Sequence, residues 1–298
     1  MTYAIVRSYT NCGTNIPNIS SKEIMNMQKL ITGSSRGFGR SLAEAVLAKG
    51  ERLVATARKT EQLADLAERY GDLVRLVTLD VNQYVQAQSA IKAAFEAFGR
   101  LDVLVNNAGY GNVSSIEETS MEDFRAQVET NLWGVVNVTK AALPLLREQG
   151  HGHIVQFSSI GGRIGAPGLA PYQAAKWAVE GFSEVLAKEV GPLGIKVTLV
   201  EPGGFRTEWA GSSMQQVEPR AEYQNTVGYM MKHFRENTGK EKGDPAKAAQ
   251  AIITIVNEEN PPLRLLLGSD AVELANAMDN GKLEETKRWE AISRSTDF

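Results

Sequence analysis

The stretch KLITGSSRGFGRSLAEAVL, residues 29–47, decides the fold. A short apolar run, Lys29 to Thr32, leads into a loop with glycines at 33, 37 and 39, and apolar residues then recur at helical period over 38–49. Glycine lets a backbone turn tightly and come close to a phosphate. A helix starting near Gly37 aims its free N–H groups and positive dipole end at a pyrophosphate. Glycine-rich turns are common in loops of every kind, so the position of this one in the chain carries more weight than its spacing.

Outward from that unit, the same strand–helix alternation continues. Apolar runs stand at 29–32, 52–57, 73–79, 101–106, 153–158, 195–200 and 263–267, and helical patterns at 38–49, 60–70, 83–98, 121–148, 171–190 and 245–258. Such alternation predicts a single-domain α/β fold, a doubly wound seven-stranded parallel sheet with helices on both faces. The strands show little polar alternation, as strands buried on both sides do. The stretch 204–244 breaks the rhythm, and connections this long are usually functional. Its Trp209, Met214, Tyr223, Met230, Met231 and Phe234 suggest short helices forming a lid over a bulky apolar ligand. A methionine and aromatic cluster is more often packing, and the stretch is otherwise a surface insertion without function.

The end of the second strand sets the cofactor. A carboxylate there binds ribose hydroxyls. Here the residues are Arg58 and Lys59, with Arg36 in the glycine loop. Two guanidinium groups clamp a phosphate through charge-assisted hydrogen bonds, so NADP(H) is expected over NAD(H). The alternative is that both arginines are ordinary solvated surface charges.

Ser159, Tyr172 and Lys176 carry the chemistry. A phenol titrates near a pKa of roughly 10 and is a weak acid or base at neutrality. Lys176, four residues on, shares its helix face, and a positive charge beside the phenol favours the phenolate. A serine hydroxyl nearby holds a substrate oxygen, and the three make an acid/base device for an alcohol or ketone. Taken alone, a tyrosine and lysine at this spacing are more often a helix face and a solvated charge.

Composition narrows the classes. The 298 residues carry a net charge of −3, which gives no reason to expect nucleic acid as a partner. No apolar run approaches the ~20 residues of a membrane span. One cysteine, Cys12, excludes an internal disulfide, and the histidines, 151, 153 and 233, form no metal constellation. Residues 1–27 lack periodicity and read as an irregular tail without the apolar core of a secretory signal. Arg7 and Lys22 are its only basic residues, poor support for a transit peptide. Met25 and Met27 are alternative starts, which the intact mass of the native protein distinguishes.

In order along the chain these motifs resemble the short-chain dehydrogenases/reductases over about residues 28–268. TGSSRGFG at 32–39 matches the family's glycine loop, LDV at 79–81 its adenine segment, and NNAG at 106–109 the turn supporting the sheet beside the cofactor. TNLWG at 130–134 carries the family's helix asparagine, SS with YQAAK its serine, tyrosine and lysine, and EPGGFRT at 201–207 its Pro-Gly segment. The resemblance implies a Rossmann fold at residues 28–298 and a catalytic tetrad of Asn131, Ser159, Tyr172 and Lys176. Lys176 lowers the tyrosine pKa and holds the nicotinamide ribose, and Asn131 holds a relay water. It implies cofactor contacts from Gly33, Ser35, Arg36, Gly37, Phe38, Gly39, Arg58, Asp80, Val81, Asn107, Ala108, Gly109, Tyr172, Lys176, Pro202, Gly203 and Thr207, and no metal.

The glycine spacing sets the chain apart from the extended epimerases. TAR at 56–58 and VEPGGFRT at 200–207 are similar to the 17β-hydroxysteroid and retinol dehydrogenase-like subgroup. The implied protein is a cytoplasmic NADP(H)-dependent carbonyl reductase or alcohol dehydrogenase. By analogy it forms a homodimer or homotetramer through 121–148 and 171–190, where Leu132, Val135, Val136, Val179, Phe182 and Leu186 form an apolar stripe, much of which must be core. Two readings stay open beside it: an NADP-binding sensor or scaffold without turnover, and a 3-oxoacyl-carrier-protein-type reductase.

Overall fold

The structure, a computed structural model, describes residues 27–211 and 213–298. The expected tail, with Cys12 in it, lies outside the described residues apart from Met27. Seven strands form one parallel sheet: β1 (Gln28–Ile31), β2 (Arg52–Ala57), β3 (Val74–Thr78), β4 (Val103–Asn106), β5 (Gly152–Phe157), β6 (Ile195–Pro202) and β7 (Arg264–Leu267). Their spatial order is β3-β2-β1-β4-β5-β6-β7, with Leu30 in register with Val54 on one side and Leu104 on the other. The helices between them are α1 (Gly37–Ala48), α2 (Ala64–Tyr70), α3 (Tyr84–Phe98), α4 (Met121–Val128), α5 (Gly134–Gln149), α6 (Ala170–Val190), α7 (Tyr229–Asn237), α8 (Pro245–Val256) and α9 (Ser269–Arg294).

The two-residue period of a strand splits the core in two. Ile31, Leu53, Ala55, Val105 and Val155 face a layer that holds Leu42 and Val46 of α1 and Ile252 and Ile253 of α8. Leu30, Val54, Leu104 and Ile154 face the other side, where Ile91 of α3, Leu146 of α5 and Leu186 of α6 pack. Each fully buried valine, leucine or isoleucine among them contributes about 1.5–3 kcal/mol of transfer free energy. The strand order reverses between β1 and β4, and a crevice opens there at the carboxyl ends of the strands, the place where ligands bind in open α/β sheets.

Three departures from the sequence expectation have physical causes. The helix read at 121–148 is broken by a π-helical turn, Glu129–Trp133, where Asn131 Nδ2 donates to Gln127 O at 2.8 Å and so takes up a carbonyl of the preceding turn. Val135, Val179 and Leu186 are core residues, and the large apolar groups these helices expose are Met121, Trp133, Trp177 and Val185. The chain beyond the last strand is a 26-residue helix, α9, with Ala271 and Ala275 buried and every residue from Asp279 onward exposed.

Candidate active site

The glycine loop begins at the end of β1. Gly33 and Gly37 have φ of +67° and +56°, a conformation that side chains with a Cβ rarely adopt. Gly39 differs in kind. It is buried, and a Cβ there would sit 2.3 Å from Gly33 O and 2.4 Å from Asn107 Nδ2. It therefore lets α1 close onto the loop and lies outside the cleft lining, whereas Gly33, Ser35, Arg36, Gly37 and Phe38 line it. Gly39→Val is expected to push α1 from β1, lower stability by roughly 1–3 kcal/mol and weaken nucleotide binding. Thermal melts with and without added NADPH measure both effects.

Asn107 completes the cradle from the other side of the switch point. Its Nδ2 donates to Thr32 O at 2.9 Å and Gly33 O at 3.1 Å. The N–H groups of Asn107 and Ala108 donate to Thr32 Oγ1. Asp80 Oδ1 accepts from Asn82 N at 3.0 Å, which orders the turn after β3. Arg36 and Arg58 are both exposed, both line the cleft, and neither forms an ion pair among the described residues. The cleft, about 1540 Å³, runs from these arginines past Asp80, Val81, Asn107, Ala108 and Gly109 to Ser159, Tyr172 and Lys176, with Pro202, Gly203 and Thr207 on its far wall.

β5 delivers Ser159 and α6 delivers Tyr172 and Lys176. Ser159 caps a short turn, its Oγ accepting from Gly161 N at 3.0 Å, and it lines the cleft together with the Tyr172 phenol. Burial pushes that phenol up to about 12, and the Ser159 hydroxyl offsets part of the rise. This corrects the expectation that Lys176 lowers the tyrosine pKa. Among the protein groups, Lys176 Nζ donates to Phe157 O at 2.7 Å and lies 5.6 Å from the centre of the tyrosine ring, so it adjoins the ring face. Burial takes Lys176 down to about 8, with Glu180 one turn away acting in the opposite sense. Asn131 is fully buried. Its Oδ1 accepts from Tyr110 N at 3.2 Å and its Nδ2 donates to Tyr110 O at 2.8 Å.

The stretch 204–244 stands over this floor. Its base closes where Arg206 N donates to Gly243 O and Gly243 N to Gly204 O, both at 3.1 Å. Trp209 lies against Tyr172 with ring centres 5.0 Å apart, and Phe234 meets Trp209 edge-on at 6.0 Å. Met214 and Met231 are buried with Val113, Leu169 and Val227 in a small core beneath the lid, the packing role such a cluster more often has. Methionine fills such irregular gaps well. From this stretch, Phe205, Trp209, Tyr229, Met230 and Phe234 line the cleft.

Sequence reasoning missed Tyr110, Asp123 and Asp270, all of which line the cleft. Asp123 accepts from Asn112 and Gln127 and so braces the wall beside Asn131. Asp270 Oδ2 accepts from Gly204 N at 2.7 Å, tying α9 to the base of the lid. Its signal was the sequence Gly268-Ser269-Asp270 after the last strand, a helix-start pattern in a stretch read as a tail. Among the described residues no cluster of His, Cys, Asp or Glu has the makings of a metal site, and no helix is long and apolar enough to cross a membrane.

Comparison with known proteins agrees with this geometry. The sequence profile of the family described as short chain dehydrogenase matches residues 28–218. Oxidoreductase BOA17 of Botryotinia fuckeliana is 52% identical over 264 residues, 88% of this chain and 96% of that one. The 3-ketodihydrosphingosine reductase of Bacteroides thetaiotaomicron is 37% identical over 80% of this chain and 87% of its own. The 3-alpha-(or 20-beta)-hydroxysteroid dehydrogenase of Mycobacterium tuberculosis is 34% identical over 70% and 84%. Among solved structures, a short-chain dehydrogenase from Streptomyces avermitilis superposes with a TM-score of 0.85 at 40% identity, covering 92% of this chain and 99% of that one. A relative from Burkholderia phymatum in complex with NAD has a TM-score of 0.74 at 25% identity, covering 84% and 92%. One from Burkholderia cenocepacia in complex with NADP has 0.71 at 26%, covering 89% and 98%. The chain belongs to the short-chain dehydrogenase family.

Proposed function

We propose that this protein is an NADP(H)-dependent oxidoreductase that interconverts a carbonyl and a primary or secondary alcohol on a bulky apolar substrate. The observation that carries the reading is the convergence of Ser159, Tyr172 and Lys176 on the floor of one cleft, between a glycine cradle and an aromatic lid.

The residues present fit a nicotinamide dinucleotide. The cradle needs glycine at 33 and 37, and the N-terminus of α1 carries no acidic side chain in its first turn and no side-chain cap, which leaves its backbone donors for phosphate. Arg36 and Arg58 are the donors for a ribose phosphate. Asp80 and Val81 lie on the adenine side, and Asn107, Ala108, Gly109, Pro202, Gly203 and Thr207 lie toward the reacting end. The cofactor supplies hydride exchange when bound.

This chain's own groups handle the oxygen and the proton. A phenol held near 12 is protonated at neutral pH, which fits Tyr172 as proton donor to a carbonyl oxygen in the reductive direction. Ser159 donates to the same oxygen and stabilises the charge that develops on it. Lys176 holds the cofactor's ribose and returns a proton to Tyr172, and Asn131 links Lys176 to solvent. Trp209 shields the reacting groups from water and supplies an apolar wall. The relatives named for a ketodihydrosphingosine and a hydroxysteroid support an apolar substrate class.

The test is NADPH consumption against a panel of apolar ketones and aldehydes. Turnover of at least one supports the reading, whereas tight NADPH binding without turnover of any would make the protein a sensor or scaffold. Cofactor choice is tested separately. Each charge-assisted hydrogen bond to a phosphate contributes roughly 1.5–3 kcal/mol, so Arg58→Asp is expected to shift the kcat/KM ratio from NADP(H) toward NAD(H) by about 10–100-fold or more. An unchanged ratio would remove Arg58 from the clamp.

A further inference from the structure

Behind the catalytic floor lies a cluster of charges that the reading above does not use. Glu201, the last residue of β6 before Pro202, is fully buried, and Glu180, one turn beyond Lys176 on α6, is nearly so. One guanidinium nitrogen touches both carboxyl groups: Arg264 Nε lies 2.9 Å from Glu180 Oε2 and 3.6 Å from Glu201 Oε1. Glu180 Oε1 and Glu201 Oε1 are both buried and neither accepts a hydrogen bond. Two ionised carboxylates facing each other out of water repel strongly, whereas one proton between them turns the repulsion into a short, charge-assisted bond.

The surrounding charges do not remove the need for that proton. Arg163, in the turn after Ser159, reaches Glu201 Oε2 at 3.2 Å and Asp279 of α9 at 2.6 Å. Arg264 of β7 reaches Glu180 at 2.9 Å, Glu184 at 3.0 Å and Glu201 Oε1 at 3.6 Å. Four carboxylates thus share two guanidinium groups. Lys176 on α6 donates to Phe157 O and Lys282 of α9 to Arg163 O, so neither ammonium bonds the pair. Asp270, also on α9, faces Gly204 N. The site is tight as well as acidic: a Cβ on Gly162 would sit 2.6 Å from Ser158 Oγ and 3.1 Å from Glu180 Cγ.

We propose that Glu180 and Glu201 share one proton at neutral pH, and that the pair is the positioning hub of the active site. It sits where the segments bearing Ser159, Lys176 and Pro202 meet, and through Arg163 it also anchors α9. Glu180 and Glu201 touch no substrate or cofactor in this scheme. They fix the distances among residues that do. The positioning half of the proposal rests on the reading of Ser159, Tyr172 and Lys176 as the reacting groups, and the shared proton does not.

The linkage has a definite sign. Burial and the facing Glu180 hold Glu201 above the usual carboxylate range, up to about 7. The folded protein therefore keeps a proton that the unfolded chain has released. The stability it brings is fully present below the unfolded pKa and is lost as pH rises through about 7.

The experiment uses the full chain and needs neither cofactor nor turnover. The infrared difference spectrum of the wild type against Glu201→Gln at pH 6 is expected to show a protonated-carboxyl C=O stretch in the wild type alone, and Glu180→Gln is expected to remove the same band. Glutamine donates its amide where the shared proton stood, so the loss of melting temperature between pH 5 and pH 8 is expected to be smaller in Glu201→Gln than in the wild type. Glu201→Leu cannot make that bond, and its kcat/KM is expected to fall at least tenfold below that of Glu201→Gln. Absence of the band from the wild type, or an unchanged melting slope in Glu201→Gln, overturns the shared proton. Equal kcat/KM for the leucine and glutamine variants overturns the positioning role.

Discussion

Tyr172→Phe is expected to lower kcat by roughly 10²–10⁴-fold, the range for loss of a positioned general acid, with NADPH affinity retained. The substitution removes one oxygen from a buried ring and leaves the ring's neighbours in place. Trp209 still has an aromatic face at 5.0 Å, Lys176 still donates to Phe157 O, and Ser159 still caps its turn through Gly161 N. What is lost is the hydroxyl proposed as proton donor. Steady-state kinetics with an apolar ketone and NADPH fluorescence titration separate the two effects. A fall in kcat alone assigns the proton to Tyr172. A parallel loss of NADPH affinity would mean that the ring shapes the cofactor site, and full activity would move the proton donor elsewhere.

The sequence announced this floor because the chemistry depends on local spacing. Tyr172 and Lys176 share a face on any helix, and the glycine loop sits between any first strand and first helix of this type. The sheet was legible for the same reason: Leu30 and Ile31, Leu53 and Val54, and Val103 and Leu104 are apolar on both faces, which parallel burial requires. Contacts between distant segments were not legible. The separation of 66 positions between Gly204 and Asp270 hides the tie between α9 and the lid base. Arg264, Glu180 and Glu201 come from three separate elements, and nothing in their spacing marks them as neighbours.

Two readings that the sequence leaves open are decided by the same physics. Met214 and Met231 stand between ligand contact and packing, and Val135 and Val179 between core and surface, and all four are buried within the chain. Apolar side chains in a segment do not say which of its faces is covered. In the lid, Val113 forms an isolated bridge with Gln216, which brings a second layer onto the methionines from far off in the chain. The direction of the Tyr172 shift was misjudged because proximity along a helix was taken for proximity of charge to hydroxyl. Lys176 instead spends a donor on Phe157 O, and burial sets the phenol's pKa.

Lys176→Met is expected to abolish most turnover while making the protein harder to unfold near neutral pH. Burial lowers the lysine from its ordinary 10.5 to about 8, so between those values the unfolded chain binds a proton that the folded chain has released. Stability of the wild type therefore rises with pH across that window. At about 1.4 kcal/mol per pKa unit, the full span is on the order of 3 kcal/mol. Below pH 8 the buried ammonium opposes folding by that amount, and methionine, of similar length, does not. Losing the bond to Phe157 O offsets about 1 kcal/mol of the gain, leaving a net of about 2 kcal/mol, or several degrees in Tm. Melts of both proteins at pH 7 and above pH 10 test this: the variant should lead at pH 7 and lose its lead in alkali. A constant gap at every pH would show that the ammonium is not desolvated in the fold. A lysine that serves packing alone would lower Tm when removed. One whose removal raises Tm and stops turnover is held in the core against its own solvation, as the proposed chemistry at Tyr172 requires.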